Sequence, residues 1–298
     1  MATSHSGSPA FKLHPLHGVH KPTTHTPARR PGSVRRTTSI DITRDEGALD
    51  PVYLTGHGRD LLTARNGCTR VLVQARFDAT IGMISRVVQR LETTPAVNGI
   101  SRLAGAPAMS GFRAAVDRAA PQLRQRRELI YTLLDDVPVA TLISGHALSA
   151  SGVLGLTAKS GYLPVADQCA GFVTGGLLMS SFKAGDPAVV TGPIAPELES
   201  ANDPDAWHSM VPLPIHGMRR RRRLDVALNE GAPTANIDAM FRDTYVRGDG
   251  HETIIHEYTL TAKFDVNSGI IVQSEAVPRV LPWQECPARL QAQAGSLE

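Results

Sequence analysis

The sequence predicts an α+β protein made of two diverged copies of a small antiparallel sheet-plus-helices unit, the second copy truncated at its C-terminus. Three observations predict it. Matching residue types return in the same order in two distant stretches, period-two alternation marks strands, and a helical pattern follows only the first stretch.

The repeat is read from short matches. Arg35-Arg36, with Asp41 beyond it, returns as Arg222-Arg223-Leu224-Asp225. Gly58-Arg59-Asp60 returns as Phe241-Arg242-Asp243, and Ala75-Arg76-Phe77-Asp78 as Ala262-Lys263-Phe264-Asp265. Aligning Phe264 with Phe77 sets Thr69 against His256.

In the second copy Ile254, His256, Tyr258, Leu260, Ala262 and Phe264 form one alternate set. Ile255, Glu257, Thr259, Thr261, Lys263 and Asp265 form the other, the pattern of a half-buried antiparallel strand. Asn267-Ser268-Gly269 and Arg247-Gly248-Asp249-Gly250 supply turns, because Gly and Asn accept positive φ at little cost. A three-stranded sheet with a hairpin return over Ile270–Ala276 follows.

In the first copy Gly111–Leu134 carries a helical pattern, which Pro138 and the extended run after it should end. The equivalent helices of the second copy would begin near Ala288, and the sequence stops at Glu298. One face of the second sheet therefore needs the middle segment or another chain to cover it. The resulting division is a flexible basic His/Pro-rich arm over 1–32, a first α+β unit over 33–136, a connecting segment over 137–215 and a second β-rich unit over 216–298.

Composition narrows the function classes. Hydrophobic residues make up 42% and charged residues 20%, which is globular usage, and the 5% aromatic content argues against a base-stacking nucleic-acid binder. The net charge of +3 hides six basic and no acidic side chains in residues 1–40, leaving the other 258 residues at −3. No nucleic-acid partner is expected. Cys68, Cys169 and Cys286 are odd in number and widely spaced, which points to a reducing, cytoplasmic setting. Val137–Ala158 is free of charge but too polar to span a bilayer, so a buried helix or strand pair is the reading there. His14, His17 and His20 would share a helix face, but Pro15 and Gly18 interrupt that helix.

The densest polar cluster surrounds the second sheet: Arg242, Asp243, His251, His256, Glu257, Arg279, Glu285 and Cys286. His256 falls in the apolar set of its strand, where an imidazole needs a hydrogen-bond partner or a ligand; a satisfied core histidine is the plainer alternative. Cys286 follows a strand and precedes Pro287 at a candidate helix start, which suits a nucleophile, a metal ligand or a simply buried thiol. His256, Glu257, Cys286 and Asp243 are thus the candidate catalytic residues, and Cys286 with His256 the candidate metal ligands. Arg242, Arg279, Arg221 and Arg223 are the candidate ligand-binding cations. For Arg219–Arg223, pairing with carboxylates such as Asp225, Asp243 or Glu257 competes with phosphate binding. His208 stands isolated after Trp207.

Several segments together resemble a known family: Arg29 to Thr38, Leu133 to Ala140 with its paired aspartates, Ala206-Trp207-His208, the arginine run, Arg242-Asp243, His256-Glu257-Tyr258, Pro278 to Pro282 and Glu285-Cys286-Pro287. The chain resembles a bacterial family, the domain of unknown function 2889, over about residues 29–290. That resemblance carries no activity with it. It implies that members continue beyond Glu-Cys-Pro to a second motif, Cys-Thr-His-Leu, and are similar to iron–sulfur scaffold proteins of the NifU type. This sequence stops before that motif, leaving Cys286 alone.

Three functions follow as expectations: a small-molecule site for an acyl or phosphate-bearing ligand between the units, of enzyme or enzyme-accessory type; a non-catalytic metal or iron–sulfur scaffold; or a structural partner protein. A homo-oligomer or partner chain over the second sheet is expected in the last case. Neither substrate nor cofactor is readable in the residues.

Overall fold

Strand β1 (Ser33–Thr43) sends alternate side chains to opposite faces of the sheet. Ile40 and Ile42 join a core beneath helices, while Arg35, Thr37, Ser39 and Asp41 face the other way. The computed structural model describes residues 19–153, 166–167, 169–184, 192–199, 202–283 and 286.

Among the described residues all named strands belong to one antiparallel sheet of eight, in the order β4-β3-β2-β1-β5-β6-β7-β8. The first meander is β1, β2 (Val52–Thr63), β3 (Thr69–Gly82) and β4 (Val87–Thr94). The second is β5 (Met218–Leu228), β6 (Thr234–Val246), β7 (Glu252–Asp265) and β8 (Ile270–Val280). They meet where β1 pairs with β5, Thr38 opposite Arg222. The second half therefore has four strands rather than three, because the arginine run is itself β5. Both predicted turns are present, at 247–251 and 266–269.

The two meanders share irregularities. The β2·β3 ladder shifts register after Asp60, leaving Leu72 unpaired, and the β6·β7 ladder shifts after Asp243, leaving Ile255 unpaired. The β3·β4 ladder shifts after Thr80 past Gln89, and β7·β8 shifts after Lys263 past Val272. All four correspondences are 183 residues apart. In this register Val73, not Thr69, stands where His256 stands. The alignment on Phe77 and Phe264 has an offset four residues larger than that of the shared bulges.

Five short helices lie on one face of the sheet, with α5 reaching Tyr245 of the second meander: α1 (Phe112–Ala119), α2 (Pro121–Gln125), α3 (Leu129–Asp135), α4 (Val137–Ile143) and α5 (Gly145–Ala150). Phe112, Leu123, Leu133, Leu134 and Val137 meet Ile40, Leu54, Phe77 and Ile81 in a common core. Residues after Pro138 are helical, not extended: Pro138 lies in the first turn of α4, where a missing N–H costs nothing. The charge-free run is thus a buried helix pair as far as residue 153. Helix α6 (Leu177–Lys183) follows further along.

The opposite face is covered by chain outside the strands, from residues 19–31, 195–199 and 202–211. Thr23 donates its N–H to Glu257, Arg242 donates to the Thr23 and Pro196 carbonyls, and Thr26 donates to that of Leu198. The expected flexible arm is therefore packed onto the sheet from residue 19 onward; His14 and His17 lie outside the described residues, and His20 bridges to Val280.

Between these layers lies a sheet of ion pairs. Arg219 holds Asp41, Arg221 holds Glu199, and Arg223 holds Asp225 and Asp238; on the helix side Arg220 and Arg222 share Asp136. The arginine run alternates faces as a strand must, and every member finds a carboxylate.

Candidate functional site

The bulge in β7 builds the site. With Ile255 unpaired, Ile254 stands opposite Thr244 and His256 opposite Asp243. Ile255 and His256, consecutive in sequence, both line one cavity on the helix side. Past the bulge Glu257 turns to the other face, fully buried with Arg242, whose Nε donates to it at 2.6 Å. Both faces of β7 are covered at Glu257, which sits in an ion-paired interior, while Thr261 and Lys263 further along the same set are exposed.

The cavity has a volume of about 100 Å³ and is mainly apolar. Met83, Ile143, Leu178, Phe182 and Trp283 form much of its wall, with His146, Cys169, His256 and Cys286 as its chemically reactive members. Trp283 is buried against Leu178, with Phe172, Phe182 and Cys286 packed beside it. Gly171 lets the turn before α6 close on this strap: a Cβ there would stand 3.1 Å from the Trp283 ring and 3.5 Å from the Cys286 sulfur.

Asp243 lies behind His256. Its two oxygens each accept from Nη1 of Arg220 at 2.9 Å, and His256 Nδ1 lies 3.5 Å from Oδ2. Burial alone would raise the Asp243 carboxyl, but Arg220 and His256 outweigh it and hold it below the usual carboxylate range. An imidazole backed by a fixed carboxylate can accept or donate a proton at its free edge, and a thiol on the same wall is a nucleophile when ionised.

Of the predicted site residues, the structure brings together Asp243, His256 and Cys286. Glu257 and Arg242 pair on the opposite face. Arg279, left unpaired by a bulge in β8, donates to Thr259 and stays away from the cavity. Arg221 pairs with Glu199 and lies 5.6 Å over the Trp207 ring, and Arg223 is held between two aspartates. Glu285 lies outside the described residues, as do the positions after Ala288. Among the described residues no group of three or more His, Cys, Asp or Glu could hold a metal ion.

Sequence reasoning missed His146, Cys169 and Trp283. His146 sits inside the charge-free run, where a lone imidazole was the available signal. His208, read as isolated, is buried and accepts or donates at both ring nitrogens, to Thr37 at 2.9 Å and Ser39 at 2.8 Å. It pins the crossing segment to β1.

Residues 218–297 match the family model described as Protein of unknown function (DUF2889). The match covers 80 of the 298 residues. It begins at the first residue of β5 and takes in the whole second meander, so His256, Asp243 and Cys286 all fall within the DUF2889 match while His146 and Cys169 fall outside it. No curated protein and no solved structure matches the chain. No described helix is long and apolar enough to cross a membrane.

Proposed function

We propose that this protein binds an apolar small molecule in the cavity beside the β7 bulge, in an enzyme or enzyme-accessory role. One observation carries the reading: the bulge turns Ile255 and His256 together into an apolar cavity that also holds Cys286, with Asp243 fixed behind the imidazole. An apolar wall with a few convergent polar groups is the usual form of a ligand site. In this reading the apolar body of the ligand lies in the cavity, with His256 and Cys286 beside it. The setting is cytoplasmic, in keeping with three free thiols.

We also read the two meanders as diverged copies of one unit. The shared bulge positions support it, as does the recurrence of Arg36–Asp60 as Arg220–Asp243. In that reading the site arose where the second copy put His256 in place of Val73. The metal-scaffold alternative lacks a third ligand among the described residues, and the small-molecule reading is preferred.

The test is alkylation of the full-length protein by iodoacetamide with and without 1-decanol, followed at each cysteine by peptide mass spectrometry. Decanol is expected to slow modification of Cys286 severalfold while leaving Cys68, which is exposed, unchanged. Equal rates at Cys286 with and without decanol remove the reading.

A further inference from the structure

Beyond the cavity, the helix side of the second meander carries a larger groove of about 650 Å³. Arg222, Phe241 and Tyr258 stand directly opposite one another on β5, β6 and β7, forming one row across the sheet. Two strand spacings of about 4.8 Å put the ends of that row roughly 10 Å apart. The Phe241 and Tyr258 rings stack at 5.3 Å, and Leu224 and Leu260 extend the apolar floor in the next row along the strands. Cys286 lines both the groove and the cavity of the preceding section, so the two spaces share a wall.

The groove is apolar along its length and cationic at one end. Arg222 has a half-exposed side chain, 41% accessible, and it meets Asp136 through Nη1, at 3.0 and 2.9 Å. Among the described residues its Nε and Nη2 have no hydrogen-bond partner. This edge is the fork that grips a carboxylate with two parallel bonds. Arg220, by contrast, is buried between Asp136 and Asp243, with its guanidinium 4.7 Å over the Phe241 ring, and offers no such edge.

We infer that the ligand is an apolar carboxylate. Its hydrocarbon part reaches from the cavity past Cys286 and along Tyr258 and Phe241, and its carboxylate is held by Arg222. This assignment rests on the proposed cavity site and adds the class of ligand and the residue that selects it. A neutral molecule of the same length would fill the apolar floor but leave the Arg222 fork to water.

The experiment compares decanoate with 1-decanol, both below their aggregation concentrations, by calorimetric titration into the full-length protein. Decanoate is expected to bind about tenfold more tightly, the ratio of one charge-assisted contact at a partly exposed site. Arg222→Gln should abolish that preference without changing decanol affinity, and Arg222→Lys should keep part of it. Equal affinities in the wild-type protein overturn the assignment without recourse to any variant, as does a preference that survives in Arg222→Gln. If decanol binds and protects Cys286 while decanoate does not, the cavity site stands and the carboxylate assignment falls. If neither ligand binds, both fall.

Discussion

Arg35 on β1 faces Asp225 on β5 and donates to both of its carboxylate oxygens, at 2.6 and 2.9 Å. The same relationship recurs at the other end of the ladder, where Arg219 on β5 donates to both oxygens of Asp41 on β1, at 2.6 and 2.8 Å. The two pairs bracket the seam between the meanders like a clasp fastened twice. Removing Arg219 strands the mostly buried Asp41, whereas Asp225 keeps Arg223 when Arg35 is removed. Arg219→Met should therefore cost about 3 kcal/mol in urea unfolding, and Arg35→Met about 2 kcal/mol. A loss under about 1 kcal/mol for either would show that the seam does not depend on that pair.

The Arg242–Glu257 pair is the more deeply buried case, both side chains being fully inaccessible. Glu257→Gln keeps the shape and removes the charge, leaving a guanidinium bonded only to the Thr23 and Pro196 carbonyls and a neutral amide. A loss of about 3–5 kcal/mol is expected, with residues 19–31 becoming sensitive to protease because Glu257 also accepts from the Thr23 amide. An unchanged cleavage pattern would mean that the arm is held by other contacts.

His208 should make the protein acid-sensitive well above the carboxylate range. Burial first, then the neighbouring His57, Arg59, Arg219 and Arg221, push its pKa from 6.5 down to about 3. As pH falls from 6.5 the unfolded chain takes up a proton that the folded chain refuses until about pH 3, so stability is full above 6.5 and declines below it. The slope from this group approaches about 1.4 kcal/mol per pH unit. His208→Gln should shrink the difference in urea midpoint between pH 5 and pH 7.5. An undiminished difference would assign the acid sensitivity elsewhere.

Gly56 lies opposite Phe77 in the β2·β3 ladder, and a Cβ added there would come within 2.1 Å of the ring. Gly56→Ala should displace Phe77 from the core and lower stability by about 2 kcal/mol in thermal or urea unfolding. Wild-type stability in this variant would mean that the ring has room to swing aside.

Strands and turns were legible in the sequence because their signals are local: alternation in β7 and the Gly- and Asn-bearing turns beside it needed no partner to be read. The bulges were not. Leu72 and Ile255 are ordinary strand residues until the facing strand skips them, so no local signal showed that Ile255 and His256 would share a face. Pro138 was misread because the same residue ends one helix and begins another. Partners for the arginine run include Asp41, Asp136 and Glu199, remote in sequence and brought close only by the strand order. The site was half legible. Asp243, His256 and Cys286 showed as polar groups among apolar neighbours, whereas His146 and Cys169 line the same cavity from positions remote in sequence.

The central claim, that the cavity beside His256 holds an apolar molecule, is tested most directly by solution NMR of the full-length protein titrated with 1-decanol. The His256 imidazole and Trp283 indole signals should shift together and saturate, while His208, pinned to β1 on the opposite face, stays unmoved. Signals of His256 and Trp283 that do not respond, or that move no more than those of His208, would contradict the account.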